Sequence, residues 1–209
     1  MELRAPVELT ADEESDSRPF VAPSWTERDE RVMQGMLEQL RARAATWGSD
    51  EAGFLLQEPD SNGHRHWIHV PDCGALSAAW ELTAVGFFGR ARAEVDQSPI
   101  HRLESGVVDT LETIPGVLCY YDLALAEGGY GNLILCATPE APAQVHTHPL
   151  HRRAVELTPS HYHCVRLHTG VVPGRFVGDA SLVLRRTRYY DFDCDPPWFA
   201  VRNHRERRD

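Results

Sequence analysis

Between about residues 80 and 192 the chain switches between two hydrophobic periodicities in a fixed order, and that order leaves few folds open. Residues 80–93 (WELTAVGFFGRARA) have the short apolar spacing of a strand. A helix then runs from Ser98-Pro99 to Pro115-Gly116, with proline near its start and Pro-Gly as its stop. VLCYYDLALA and GNLILCAT follow as a hairpin joined at Glu127-Gly128-Gly129-Tyr130. Thr138-Pro139 caps a helical stretch reaching about Leu157, and strand-like segments occupy 162–172 and 181–192.

The order strand, helix, strand, strand, helix, strand is that of a ferredoxin-like unit, an α+β arrangement whose two helices cover one face of an antiparallel sheet. The other face is left open, and two such sheets commonly close face to face into a barrel. No internal repeat supplies the second sheet, so a homodimeric α+β barrel is expected, with residues 79–209 as the barrel domain. Residues 24–78 form an extension. In it, Ser24 and Glu27 resemble a capping box ahead of an apolar stripe of Met33, Met36, Leu37, Leu40, Ala44 and Trp47. Two apolar runs around Asp60-Ser61-Asn62-Gly63 then predict a hairpin. Residues 1–23 carry Asp12, Glu13, Glu14 and Asp16 without periodicity and read as a flexible acidic arm.

Composition removes several function classes. A formal charge of −10 argues against nucleic acid, which needs a basic field. No apolar run approaches the roughly 20 residues that span a bilayer, and the acidic N-terminus is unlike a secretory signal, so a cytoplasmic protein is expected. The five cysteines have no CxxC spacing and read as reduced, mostly buried thiols. All 21 basic residues are arginine, which rules out Schiff-base chemistry on lysine.

Six of the 11 histidines fall in 144–172, QVHTHPLHRRAVELTPSHYHCVRLHTGVV. Imidazole is the commonest protein ligand for transition metals and titrates near neutrality, so this segment is the candidate site. A helix restart at Thr147–Pro149 places His148 and His151 at i, i+3 on one face. On the following strand Tyr162, Cys164, Arg166 and His168 alternate with His161, His163, Val165 and Leu167.

The runs His148-Pro149-Leu150-His151 and Val165-Arg166-Leu167-His168 resemble the corresponding region of the haem-containing aldoxime dehydratases, over about 25 to 30 residues. The resemblance implies haem b held by His151 through iron, with His168 as distal acid/base and Arg166 beside it. It also implies a dehydratase-like lyase or an oxidoreductase acting on a small N-oxygenated substrate. The family's substrate-binding serine and arginine have only positional candidates here, Ser105, Arg90 and Arg92.

Two other readings nominate other features. Because i, i+2 histidines on extended chain point to one side, His146, His148, His161 and His163 could build a non-haem copper, zinc or iron site. Alternatively the barrel mouth binds a small ligand without chemistry. His64, His66 and His69 read as a solvated strand face, and His101 sits on the first helix of the unit. Thr187 to Phe192 reads as a core strand with a polar face.

Overall fold

The computed structural model describes residues 5–47, 52–59, 65–125 and 128–204. The elements, in chain order, are β1 (Val7–Leu9), a 3-10 turn (Pro19–Val21), α1 (Pro23–Ala44), β2 (Ala52–Pro59), β3 (Arg65–Asp72), α2 (Cys73–Ala78), β4 (Leu82–Ala91), α3 (Ser98–Val108), a second 3-10 turn (Leu111–Thr113), β5 (Val117–Ala124), β6 (Gly129–Cys136), α4 (Ala141–Thr147), α5 (Pro149–His161), β7 (Tyr162–Val172), β8 (Val183–Asp191) and β9 (Trp198–Asn203).

All nine strands form one sheet in the order β1-β9-β8-β7-β4-β6-β5-β3-β2. At its centre β7-β4-β6-β5 pair antiparallel, the four-strand order of the expected ferredoxin-like unit. The β2–β3 hairpin extends one side, although its turn at Asp60–Gly63 lies outside the described residues. On the other side β8 and β9 follow β7, and β1 closes the edge in parallel with β9. Among the described residues no helix is long and apolar enough to cross a membrane.

Helices α3, α4 and α5 cover one face, where Val107, Leu111, Ala141, Val145 and Leu150 pack with Tyr120 and Ile134. The opposite face is not open as the sequence suggested. Helix α1 lies across it, burying Met33, Met36, Leu37 and Leu40 against Phe88, Tyr121, Leu133 and Leu135. Full burial of each such aliphatic side chain stabilises by about 1.5–3 kcal/mol. Gly86 on β4 permits the approach, because a Cβ there would meet the Met33 Sδ at 2.5 Å. The surface through which a second copy's sheet was expected to close is therefore occupied by this chain's own helix.

Polar clamps fix α1 at its far end. The Arg41 guanidinium donates to the carbonyls of Phe176 (2.7 Å) and Ala180 (2.8 Å), Leu182 N–H donates to Gln34 (3.0 Å), and Tyr121 OH donates to Gln39 (2.6 Å).

Two local expectations change. Helix α1 starts at Pro23 behind Ala22, with no side-chain cap, so Ser24 and Glu27 form no capping box. Proline needs no cap for the N–H it lacks, and its fixed φ suits the first helical turn. The acidic arm also makes fixed contacts in the structure. Arg202, 1% exposed, donates to the carbonyls of Thr10 (2.9 Å), Glu13 (2.6 Å) and Val21 (2.7 Å), stitching the arm beside β9. The break between α4 and α5 falls where Pro149 predicts it, with His148 as the N-cap residue.

Candidate functional site

The apolar stripe of α1 has a polar beginning. Thr26 and Asp29 precede Met33 on the same buried face and are 5% and 1% exposed. Opposite them, β7 and β8 present polar groups inward. The Asp29 carboxylate accepts two bonds from Arg166, Nε at 2.5 Å and Nη2 at 3.0 Å, in a two-pronged pairing. Its Oδ2 also pairs with His168 Nε2 at 2.9 Å.

His168 Nδ1 lies 2.9 Å from Thr187 Oγ1, which lies 2.8 Å from Nε2 of His204 just beyond β9. One unbroken chain of hydrogen bonds thus runs from Asp29 to the half-buried His204. Burial, with the charges of His168 and Arg202 nearby, lowers His204 to about 4, so it is neutral at pH 7. One assignment of ring tautomers orders the donors consistently along this chain. His204 Nε2–H donates to Thr187, Thr187 O–H to His168 Nδ1, and His168 Nε2–H to Asp29.

A second buried set stands beside the first. Tyr189 OH accepts from Arg202 at 2.7 Å and pairs with Thr26 Oγ1 at 2.9 Å. The Arg166 guanidinium also lies 4.8 Å from the centre of the Trp25 ring.

Asp29 and Arg166 form part of the floor of a cleft of about 190 Å³ between the first turns of α1, the arm and the near ends of β4, β6 and β7. Phe20, Trp25, Val32 and Leu125 give it apolar walls, and Arg28, Arg90, Asp191 and Asp193 ring it with charge. This is smaller than the roughly 300–1,000 Å³ of pockets for drug-sized ligands, so a small molecule is the natural occupant. Cys164 also lines the cleft, but burial raises its thiol pKa, which makes it a poor nucleophile. Burial alone would raise Asp193, yet its bonds with His163 and Arg92 outweigh that and hold its carboxyl below the ordinary value.

The histidine segment is divided by the sheet. His168 points toward α1 and is 0% exposed, with both ring nitrogens bonded. His151 belongs to α5 on the opposite face, its ring 5.6 Å from that of His146. The two are not a proximal and distal pair around one haem, because β7 and its neighbours stand between them. His168 has no free nitrogen to turn toward a ligand, and haem does not fit this pair.

The non-haem set does not converge either. His146 is near the end of α4 and His148 is the N-cap of α5, whereas His161 is the last residue of α5 and His163 lies on β7, so the two pairs sit at opposite ends of a helix roughly 18 Å long. His161 bonds locally to Ser160 and the Leu157 carbonyl, and His163 pairs with Asp193. Among the described residues no group of three or more His, Cys, Asp or Glu side chains is placed to hold a metal ion.

Of the other candidates, Arg90 lines the cleft and Arg92 bridges Asp193 to His163. Ser105 and His101 are on α3, across the sheet, and the His101 ring meets Tyr130 edge-on at 5.2 Å. His69 is buried on β3, and His64 lies outside the described residues. Tyr162 leaves the face of Cys164 and Arg166, because pairing shifts between Arg90 and Ala91, and packs with Ile100 and Val165.

Sequence reading found Arg166 and His168 but missed Asp29, Thr187, His204 and Arg202. One signal for Asp29 was present. It occupies a position of the apolar stripe 29, 33, 36, 40, where a carboxylate is out of place unless it is paired.

No family model and no curated protein matches the chain. Among solved structures it is similar to SnoaB, a cofactor-independent oxygenase from Streptomyces nogalater, at 14% identity over 46% of this chain and 95% of that one, with a TM-score of 0.35. It is also similar to a proposed monooxygenase from Lactobacillus acidophilus NCFM, at 10% identity over 76% of this chain and 93% of that one, with a TM-score of 0.43. Likeness at this level describes a partly shared chain path and leaves the chemistry to this chain's own residues.

Proposed function

We propose that the chain is an enzyme that moves a proton to or from a small organic molecule held in the cleft beneath α1. Asp29 is the group that touches the substrate, Arg166 orients its carboxylate, and His168, Thr187 and His204 form the route by which the proton is replaced. The observation that carries this reading is the placement of a paired, buried carboxylate at a cleft floor with a hydrogen-bonded path leading away from it. Setting an Asp, an Arg and a His between a helix and a sheet costs several kcal/mol of desolvation per ion, and apolar residues of like volume hold such layers together as well or better. Retention of the charges where the cleft reaches them favours use over mere support.

The chemistry is general acid–base transfer, worth about 10²–10⁴ in rate. It runs through no haem step, since His151 and His168 share no chamber.

The test is solvent-deuterium incorporation into a panel of small C–H acids such as acetylacetone, followed by NMR, with benzaldoxime included because an N-oxygenated substrate is what the histidine motifs imply. Acceleration by the native chain, lost by about 10²-fold or more in Asp29→Asn and given a shifted pH profile by His204→Gln, supports the reading. A folded Asp29→Asn chain that keeps the native rate overturns it, and saturable binding without turnover returns the cleft to the non-catalytic alternative.

A further inference from the structure

The cleft is lined by three arginines and three aspartates, a formal balance of zero where the whole protein carries −10. Each carboxylate around it already has a cation from the same chain. Asp29 is held by Arg166, Asp191 pairs with Arg18 at 2.9 Å, and Asp193 pairs with Arg92 at 2.8 Å and His163 at 3.0 Å. Two guanidiniums remain. Arg28 on α1 and Arg90 on β4 both line the cleft, and among the described residues neither forms an ion pair with a carboxylate. The Arg28 guanidinium rests 5.3 Å from the centre of the Trp25 ring, a cation–π contact that holds its stem at the cleft wall and leaves its N–H fork available.

We infer that the cleft selects a small organic anion, a carboxylate on a planar, largely apolar body, with its charge met by Arg28 and Arg90 and its body against Trp25 and Phe20. This rests on the cleft being the substrate site and adds the class of molecule it takes. A cation would be repelled by the two unmatched guanidiniums. A neutral molecule would gain the apolar walls but forgo two charge-assisted bonds, in a site whose own acids cannot compete for them. Field lines from the pair also draw anions past the negative surface elsewhere, an effect that salt screens.

Calorimetric titration with three probes of one shape tests this: benzoate, benzyl alcohol and benzamidine. Benzoate is expected to bind saturably and at least tenfold more tightly than benzyl alcohol at low salt, with benzamidine weakest and the preference shrinking as salt rises. Arg28→Gln and Arg90→Gln, both changes of exposed side chains that leave the fold intact, should each weaken benzoate about tenfold and leave benzyl alcohol unchanged. Val32→Phe, which fills the cleft, should weaken both. If benzyl alcohol binds as tightly as benzoate and Val32→Phe weakens both, the anion class falls while the cleft stands. If no probe binds, or none responds to Val32→Phe, the cleft reading falls with it. If inorganic phosphate displaces benzoate at equal concentration, the apolar body has no part in selection and the proposal is overturned in that respect.

Discussion

The two faces of the sheet hold histidines in opposite ways. On the α4–α5 side His146, His148 and His151 lie close in sequence, yet His146 is exposed, His148 is half-buried, and neither His148 Nδ1 nor His151 Nδ1 has a hydrogen-bond partner among the described residues. On the α1 side a single histidine of that segment, His168, is fully buried with both nitrogens engaged, its partners come from residues 29 and 187, and Thr187 passes the chain on to His204. Density along the chain marks the first group, and convergence in space marks the second. A functional site needs groups that meet, and groups meet across strands more often than along them.

The largest test of this contrast is removal of one group from each face. Asp29→Ala leaves the Arg166 guanidinium buried without its partner and should cost about 3–5 kcal/mol in urea unfolding. His151→Ala breaks no charge pair and should cost about 1 kcal/mol. A reversed ranking would make the α5 histidines the structural centre.

Acidification sharpens the comparison next. Burial, together with His146 and His148 nearby, lowers His151 to about 4, and burial with His168 and Arg202 nearby lowers His204 to about 4. Both rings therefore prefer to be neutral when folded, whereas in the unfolded chain they take up protons near 6.5. The unfolded state binds more protons between those values, so stability is full above about 6.5 and falls as the pH drops toward 4. His151→Gln and His204→Gln should each flatten that slope in thermal melts from pH 7 to 4. Stability that rises on acidification would contradict both assignments. The smallest effect belongs to the exposed His146, where replacement by alanine should change stability by about 0.5 kcal/mol or less and leave benzoate binding untouched.

Much of the frame was legible. The 3.6-residue stripe of α1, the proline break before α5, the β5–β6 hairpin and the 162–172 strand all follow from local periodicity and turn chemistry, and their antiparallel order gave the ferredoxin-like centre. The alternation along β7 also placed Cys164, Arg166 and His168 together correctly. Strands β1 and β9 were not legible, because strands of three and six residues carry too little period to stand out. Thr187 was visible only as part of a polar core strand. Its role depends on pairing opposite His168, a register that only the folded sheet supplies.

By itself the sequence determined the element order between about residues 80 and 192, the buried face of α1 and the exclusion of lysine chemistry, since these depend on residues near one another along the chain. Tertiary structure alone decided that α1 covers the open face of the sheet, that His151 and His168 are separated by it, and that Asp29 meets Arg166 and His168. Those outcomes turn on which face a helix returns to after a connection, and a chain of side chains alternating across a strand carries no mark of which neighbour will cover each side.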